Sequence, residues 1–257
     1  MRNKFLDNIK NILQLSYSLS KTNFKLRNEK SYLGIFWYLL EPLSFFITLY
    51  ALGSFLGGDN IEKFPLYLFL GIIMFNFFSS CTMASCNIIE ANAGFIKSLN
   101  ISKTPFVFSV LFQYSFSHFF EIFIFCIFMF LLGSNPLLIL LYVPIFLVYF
   151  FMVAGICFVL SAVGVFVSDI SNVWNIFSRI LWFLTPIFYF APKDSFVGMI
   201  NPINPVYYFI YIAREICIYG RIPSLMYVIV GLFSALISFS FGLILFNIFK
   251  FKFAEKL

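Results

Sequence analysis

The stretch PLYLFLGIIMFNFFSSCTMASCNII, residues 65–89, contains no charged side chain. A helix needs about 20 predominantly apolar residues to cross the hydrocarbon core of a bilayer, so this stretch predicts a transmembrane helix. The composition of the whole chain agrees, because 61% of its 257 residues are hydrophobic and 11% are charged, whereas soluble domains carry about 25% charged residues. The sequence therefore predicts an all-α integral membrane protein and excludes an ordinary soluble domain.

Five further apolar stretches have a comparable length. Together they predict six transmembrane helices, at about 35–56, 65–89, 105–132, 136–167, 173–190 and 224–249. A seventh candidate, 195–218, is interrupted by NPINP at 201–205 and carries Arg214 and Glu215, so each of its apolar halves is too short to cross. We expect this segment to form a re-entrant helical hairpin before the last span, buried in protein or lining a wet cavity.

The distribution of basic residues predicts the orientation in the membrane. Lysine and arginine accumulate on the cytoplasmic side, and both ends of this chain are basic. Both termini should therefore be cytoplasmic, which requires an even number of crossings. With six crossings, all of the 17 lysines and arginines lie inside except Lys63, Lys193, Arg214 and Arg221.

The chain divides into a cytoplasmic arm, 1–33, and a transmembrane domain, 34–257. The arm is amphipathic, and its apolar residues share one helical face: Phe5, Leu6, Ile9, Ile12, Leu13 and Tyr17. The opposite face is polar and consists of Lys4, Asp7, Lys10, Asn11 and Gln14. We expect this helix to lie flat in the cytoplasmic interface of the membrane, and both a simple anchor and a docking surface for a partner fit its pattern.

The third predicted span carries a polar stripe that consists of Gln113, Ser117, His118 and Glu121. Residues three and four apart share a helix face, and ionisable residues inside a membrane are functional candidates by default. A stripe that holds helices together, with Glu121 protonated or hydrogen-bonded to a neighbour, also fits. The one histidine and five cysteines of the chain show no metal-ligand spacing, so we expect no metal site.

The energy for any transport against a gradient has to come from a partner or an ion, because the chain contains no GxxxxGK[ST] phosphate loop. The inward loop EANAGFIKSLNISKTP, 90–105, is the best docking candidate. We expect its apolar side chains Phe95, Ile96 and Leu99 to be exposed. The residues assigned to this coupling loop are Glu90, Asn92, Gly94, Phe95, Ile96 and Lys97.

Several stretches in this order resemble a known family. They are SYLGIFWYLLEPL (31–43), ANAGFIKSLNISKTP (91–105), LWFLTPIFY (181–189), INPINPVYYFIYIAREICIYG (200–220) and the final KFAEKL. The chain resembles the ABC-2 type membrane permeases, specifically the branch that exports lipid-linked polysaccharides such as O-antigen, teichoic acid and capsule. The first stretch carries that family's opening motif, here Gly34, Trp37, Glu41 and Pro42.

The resemblance implies a half-transporter in the bacterial cytoplasmic membrane. Two copies would form a homodimer around a central conduit, and two cytoplasmic ABC ATPase subunits would supply ATP and Mg sites. The loop 90–105 would be the coupling helix in the ATPase cleft. This chain itself would have no catalytic site and no cofactor, and it would not bind nucleic acid.

A sugar polymer needs flat apolar surfaces for pyranose faces and hydrogen-bonding groups for hydroxyls, and Tyr and Trp provide both. We therefore assign an outer mouth to the aromatic and Asn-Pro segment, although an ordinary interfacial aromatic belt fits the same residues. The assigned residues are Tyr189, Asn201, Pro202, Asn204, Pro205, Tyr207, Tyr208, Tyr211 and Arg214.

Glu41 would lie about 10 Å from the cytoplasmic end of the first span, at a rise of 1.5 Å per residue. It either pairs with a basic residue of the arm, such as Arg27 or Lys30, or contacts the lipid-phosphate region of a substrate at its point of uptake.

Three other functions compete with polysaccharide export. The first is an ABC-2 exporter of a drug or small lipid, the second a polytopic membrane transferase, and the third an ion-coupled lipid-carrier flippase that acts alone. A transferase would need acid, base or metal-binding groups gathered at one membrane face, and in this sequence only His118 and Glu121 approach that requirement.

Overall fold

A computed structural model describes residues 2–29, 32, 34–53, 55, 58, 61–99, 102–192 and 194–256. Within these ranges the chain forms helices and connecting segments and no β-strand. The α-helices are α1 Arg2–Glu29, α2 Trp37–Ala51, α3 Phe64–Cys86, α4 Ile88–Ala91, α5 Ala93–Leu99, α6 Thr104–Leu131, α7 Tyr142–Gly164, α8 Ile170–Leu184, α9 Phe196–Ile200, α10 Pro205–Cys217, α11 Leu225–Phe249 and α12 Phe253–Lys256. Short 3₁₀ helices cover Gly34–Phe36, Pro136–Leu141 and Asn201–Ile203.

Among the described residues, four helices are long and apolar enough to cross a membrane. They are α3, α6, the continuous helix Pro136–Gly164 that contains α7, and α11. They confirm helices of membrane-spanning length at four of the six predicted positions. α3 is the central one, because 72% of its most apolar window is buried inside the protein, whereas only 17% of the corresponding window of α11 is buried.

The other two predicted spans form shorter helices than their apolar stretches suggest. α2 and α8 have 15 residues each, which is about 22 Å at 1.5 Å per residue, whereas the hydrocarbon core is about 30 Å thick. α8 ends at Leu184 instead of continuing to 190, because Thr185 precedes Pro186 and a residue before proline is forced out of helical geometry. Thr185 accordingly has an extended ψ of 128°.

The segment 195–218 is divided into two helices, as the two prolines of NPINP predict. α9 ends at Ile200, a 3₁₀ turn follows, and α10 begins at Pro205. Asn204 precedes α10 as its N-cap, and its Oδ1 accepts a hydrogen bond from the Val206 amide at 3.0 Å.

α7 and α11 make a close contact through small residues, which is how helices associate where no water drives them together. A Cβ atom on Gly155 of α7 would overlap the backbone carbonyl of Ser238, and one on Gly242 would overlap the carbonyl of Gly155. The Ser238 hydroxyl also donates to the Met152 carbonyl at 2.8 Å. Close approach at glycine and serine therefore brings α11 against α7, and the rings of Phe239 and Phe246 add contacts to those of Phe151 and Phe158.

α1 packs against protein along one side. Tyr17 and Phe24 both contact the ring of Phe116 edge-on, with centroids 6.1 and 6.0 Å apart, and Ser16 and Ser20 are buried. Phe116 lies near the middle of α6, so this part of α1 runs beside a membrane-length helix. The location of α1 at the cytoplasmic interface stays a prediction.

Candidate functional site

α8 has a polar face although its sequence is largely apolar. Asn175, Ser178, Arg179 and Trp182 recur at intervals of three and four residues, which places them on one side of the helix. Ser178 holds this side against α3, since its hydroxyl lies 3.0 Å from that of Ser79. The rest of α8 exposes apolar side chains: Val173, Ile176, Phe177, Ile180 and Phe183.

A groove of about 520 Å³ runs between α2, α3 and α8. Its lining residues are Glu41, Pro42, Phe45, Ile72, Phe75, Asn76, Ser79, Asn175, Ser178, Arg179, Trp182 and Phe183. The groove combines hydrogen-bonding groups, one carboxylate and one guanidinium with aromatic rings. Arg179 Nε donates to Asn175 Oδ1 at 3.0 Å. We call this surface the α2–α3–α8 groove.

Two residues of the first-span motif, Glu41 and Pro42, line this groove. Gly34 has a positive φ of 48°, Trp37 is 55% exposed, and Pro42 is buried inside α2. Glu41 is exposed and lines the groove. Its predicted pairing with Arg27 or Lys30 concerns side chains that lie outside the described residues.

A second polar site lies behind the groove and consists of Asn76, His118, Glu121 and Tyr142, which we call the Glu121 cluster. Glu121 Oε1 accepts from Asn76 Nδ2 at 2.8 Å, and Oε2 lies 3.0 Å from His118 Nδ1. His118 Nε2 lies 2.7 Å from the Tyr142 hydroxyl. His118 and Glu121 are 2% and 3% exposed, so the cluster joins α3, α6 and α7 by hydrogen bonds in the interior.

The structure brings three members of the predicted polar stripe together. Ser117, His118 and Glu121 line a small cavity of about 20 Å³ with Asn76 and Glu41. Gln113 is half-buried and takes no part in these hydrogen bonds. Since Glu41 and Asn76 also line the α2–α3–α8 groove, the cluster and the groove share a wall. Among the described residues, no group of three or more His, Cys, Asp or Glu could hold a metal ion.

The segment after α8 is unwound, and side chains satisfy its carbonyl groups. The Tyr67 hydroxyl donates to the carbonyl oxygens of Pro186 and Tyr189, at 3.1 Å each. The Tyr189 hydroxyl donates to the Phe183 carbonyl at 2.7 Å. Thr185 bridges to the Asn-Pro segment, because its hydroxyl accepts from Asn204 Nδ2 at 2.8 Å.

Arg214 makes most of the remaining hydrogen bonds to this segment. Nη1 donates to the Pro186 carbonyl at 2.7 Å, and Nη2 to the Ile187 carbonyl at 2.9 Å. Nε and Nη2 both donate to the Tyr67 carbonyl, at 3.2 and 2.9 Å. Arg214 is 4% exposed, and no carboxylate of the described residues pairs with it. We call Arg214, Tyr67 and the carbonyls of Pro186 and Ile187 the Arg214 clamp.

The remaining residues predicted for the outer mouth lie on α10, which carries Arg214, and in the turn before it. The Tyr208 hydroxyl donates to the Pro202 carbonyl at 3.0 Å, which closes the turn before α10. The rings of Tyr207 and Tyr211 are 6.1 Å apart, and Tyr211 stacks on Tyr227 at 4.3 Å. Tyr207, Tyr208 and Tyr211 thus contact one another or Tyr227 of α11, which the sequence did not single out, whereas the ring of Tyr189 contacts Phe188.

The predicted coupling loop folds into α4 and α5, and one expectation about it is wrong. Ile96 is 5% exposed and packs in the core, whereas Phe95 is 44% exposed. The reason is helical geometry, since Phe95 and Ile96 are consecutive in α5 and their side chains point in different directions, so that Phe95 faces outward while Ile96 packs inward. Phe95 rests edge-on against Phe106 with centroids 6.2 Å apart. The Leu99 side chain lies outside the described residues.

The exposed surface of this loop carries charged side chains near Phe95. Glu90, Gly94 and Lys97 are exposed, and nothing lies within 4 Å of a Cβ built on Gly94. At the end of the loop, Lys103 Nζ donates to the Lys250 carbonyl at 2.8 Å, and burial together with the nearby Lys250 lowers the pKa of Lys103. The loop is thus fixed to the C-terminal end of α11.

Sequence reasoning missed most of the groove. It counted Arg179 only as a cytoplasmic charge and did not single out Asn76, Ser79, Asn175, Ser178 or Trp182. The sequence pattern that could have indicated the groove lies in α8, where four hydrogen-bonding side chains recur on one side of an otherwise apolar helix.

Comparison with known proteins places this architecture in a family. The ABC-2 type transporter family matches residues 14–218. Two proteins from Klebsiella pneumoniae, both named O-antigen export system permease protein RfbA, are 23% and 24% identical to this chain over 252 residues, which is 96% of each chain. A family match that extends from α1 to the end of α10 includes the groove, the coupling loop and the Arg214 clamp, and the chain therefore belongs to the ABC-2 type transporter family.

Proposed function

We propose that this chain is the permease subunit of an ATP-driven exporter that moves a lipid-linked polysaccharide across the cytoplasmic membrane. The observation that carries this proposal is the α2–α3–α8 groove, with its amide, hydroxyl and charged groups among aromatic rings. The names of the two relatives, which describe O-antigen export, support the substrate class.

The proposal includes six crossings with both termini in the cytoplasm and a re-entrant hairpin formed by α9 and α10. α8 is too short to cross alone, and the unwound segment after Leu184 would complete its crossing. Non-helical backbone at membrane depth needs internal hydrogen-bond partners, and the Arg214 clamp provides them. The groove would then begin near the cytoplasmic side, where Glu41 lies early in α2.

Two copies would pair so that their grooves face each other. The exposed apolar residues of α2 and α8 support this arrangement, because Phe45, Ile47, Ile180 and Phe183 are between 52% and 63% exposed in one chain. A polymer of sugar units would pass between hydrogen-bonding and aromatic side chains on both sides. An exporter of an apolar drug would not need Asn76, Asn175 and Arg179 in one wall.

The partner ATPase subunits would bind α4 and α5. Phe95 is the exposed apolar residue at the centre of this surface, with Glu90 and Lys97 around it. ATP and Mg would be held by the partner, and closure of the two ATPases would rock the two permease copies against each other through this surface.

The experiment is purification of the detergent-solubilised chain from its own membranes with Phe95→Asp and with a matched control, Ile222→Asp. Ile222 is 96% exposed in the segment between α10 and α11, so the control adds the same charge far from α5. We expect an ATPase subunit to co-purify with the wild type and the control and to be lost from Phe95→Asp, as measured by mass spectrometry and ATP hydrolysis. Co-purification and export at wild-type levels in Phe95→Asp would refute the docking surface.

The route is tested with Arg179→Ala and with Asn172→Ala on the same helix. Arg179 lines the groove and Asn172 does not, although both are exposed. We expect Arg179→Ala to reduce the lipid-linked polysaccharide that reaches the cell surface while the ATPase still co-purifies, and Asn172→Ala to leave export intact. Equal export by the two variants would exclude the groove as the route.

A further inference from the structure

A second cavity, of about 280 Å³, lies beside the Arg214 clamp. From α10 it is lined by Tyr207, Tyr211, Arg214 and Glu215, which share one helix face. This volume is many times that of one water molecule, about 30 Å³ in the liquid, and it is close to the lower limit of small-molecule sites, about 300 Å³.

The cavity holds both an unused acceptor and an unused donor. Asn201 lines it and is 4% exposed, and its Oδ1 has no hydrogen-bond partner. A guanidinium has five N–H groups, and the bonds of Arg214 to carbonyls use four of them, so one N–H on Nη1 has no acceptor in the described chain. A buried polar group without a partner is costly, and a ligand that both donates and accepts would satisfy both groups.

The charges around the cavity favour a neutral ligand. Arg214 and Arg221 line it together with Glu62 and Glu215, so the positive and negative residues balance. Arg221 Nη2 lies 3.5 Å from Glu62 Oε2, so the guanidinium group of Arg221 is already paired with a carboxylate. An anion would be repelled by two carboxylates, and a cation by two guanidinium groups.

We propose that this cavity binds one neutral hexopyranose unit. A sugar hydroxyl donates to Asn201 Oδ1 and a hydroxyl accepts from Arg214 Nη1, while the apolar face of the ring rests against Tyr207, whose ring and hydroxyl suit such a ligand. The site deepens the proposed function and rests on it for the class of ligand. Each permease copy would hold one sugar unit of the polysaccharide beside the outer end of the export route.

The test is saturation-transfer NMR on the whole chain in nanodiscs with three probes: the methyl α-pyranosides of glucose, mannose and galactose. We expect transfer to the ring protons of at least one probe, and binding that is about tenfold weaker or more in Asn201→Leu, because one buried hydrogen bond is lost. Tyr207→Ala is the second variant, should Asn201→Leu not fold. Asn172→Leu is the matched control, since Asn172 is exposed on α8 and lines neither cavity.

Three results would overturn the site: no transfer to any of the probes, equal binding by the wild type and by the folded cavity variants, or loss of the sugar signal when inorganic phosphate is added as a competitor. The proposed export function fails separately. Sugar binding that depends on Asn201 in a chain that neither recruits an ATPase nor exports polysaccharide would retain the site and refute the exporter.

Discussion

The Arg214 clamp and the Glu121 cluster are both buried polar sites, but they differ in the kind of partner that each charge meets. Arg214 contacts neutral carbonyl oxygens. Glu121 contacts an amide and an imidazole, and the imidazole in turn contacts a phenol. Arginine stays protonated in proteins, whereas a carboxyl, an imidazole and a phenol can each donate or accept according to where the proton lies.

This difference predicts which of the two sites tolerates replacement of a side chain. The donors of Arg214 form a rigid planar fork that meets three carbonyls of two separate segments, so no other side chain reproduces them. The cluster joins three regular helices whose own backbone bonds are complete, and its hydrogen bonds can reverse direction when a residue of the same shape replaces one member. We therefore expect the clamp to be sensitive to any substitution and the cluster to tolerate isosteric ones.

The largest effect is expected for Arg214→Leu. It leaves the Ile187 carbonyl without its guanidinium donor, at about 1–3 kcal/mol for a buried group, and it also removes the two bonds from Arg214 to the Tyr67 carbonyl. The variant should unfold at a clearly lower temperature in detergent, as followed by fluorescence-detected gel filtration after heating. Arg214→Lys is the matched control and should recover only part of the loss, because an ammonium cannot make the paired contacts. Full stability of Arg214→Leu would show that the clamp does not hold the unwound segment.

A smaller effect is expected for Gly71→Ala, which changes the clamp without removing a donor. A Cβ on Gly71 would overlap Arg214 Nη2, and Nη2 cannot move away easily because it is bonded to the carbonyls of Tyr67 and Ile187. Such overpacking costs about 1–3 kcal/mol. The same heating assay measures it, with Gly231→Ala as control, since a Cβ there makes only ordinary contacts of 3.5 Å or more. Equal melting of the two variants would show that Arg214 is free to move.

The fold class and most helix positions were accessible from the sequence because they depend on local properties. Apolar length predicted the four membrane-length helices, and the prolines at 186, 202 and 205 carry the information that ends α8 and divides α9 from α10. The predicted fifth span, 173–190, is helical only as far as Leu184, because Pro186 ends α8 where apolar composition alone would continue it.

The contacts within the sites were less accessible because they join residues far apart in the chain. Nothing near Arg214 in the sequence indicates that its partners are carbonyls at 67, 186 and 187, and nothing near Glu121 indicates Asn76 or Tyr142. The same limit applies to the burial of Ile96, which depends on how α5 packs. Periodicity could have revealed the polar face of α8, but not which helices complete the groove.

The smallest effect is expected for Glu121→Gln in the Glu121 cluster. The glutamine carbonyl can still accept from Asn76 and its amide can donate to His118 Nδ1, so the free energy of unfolding should change by no more than about 1 kcal/mol. Glu121→Leu is the matched control and should cost more, because Asn76 Nδ2 and His118 Nδ1 then lose their buried partner. The heating assay compares the two. If Glu121→Gln were as unstable as Glu121→Leu, the carboxylate charge itself would hold the three helices, and the contrast with the clamp would disappear. If Glu121→Gln were stable but failed to export polysaccharide, the cluster would act on the groove through Asn76, which lies in the wall that both share.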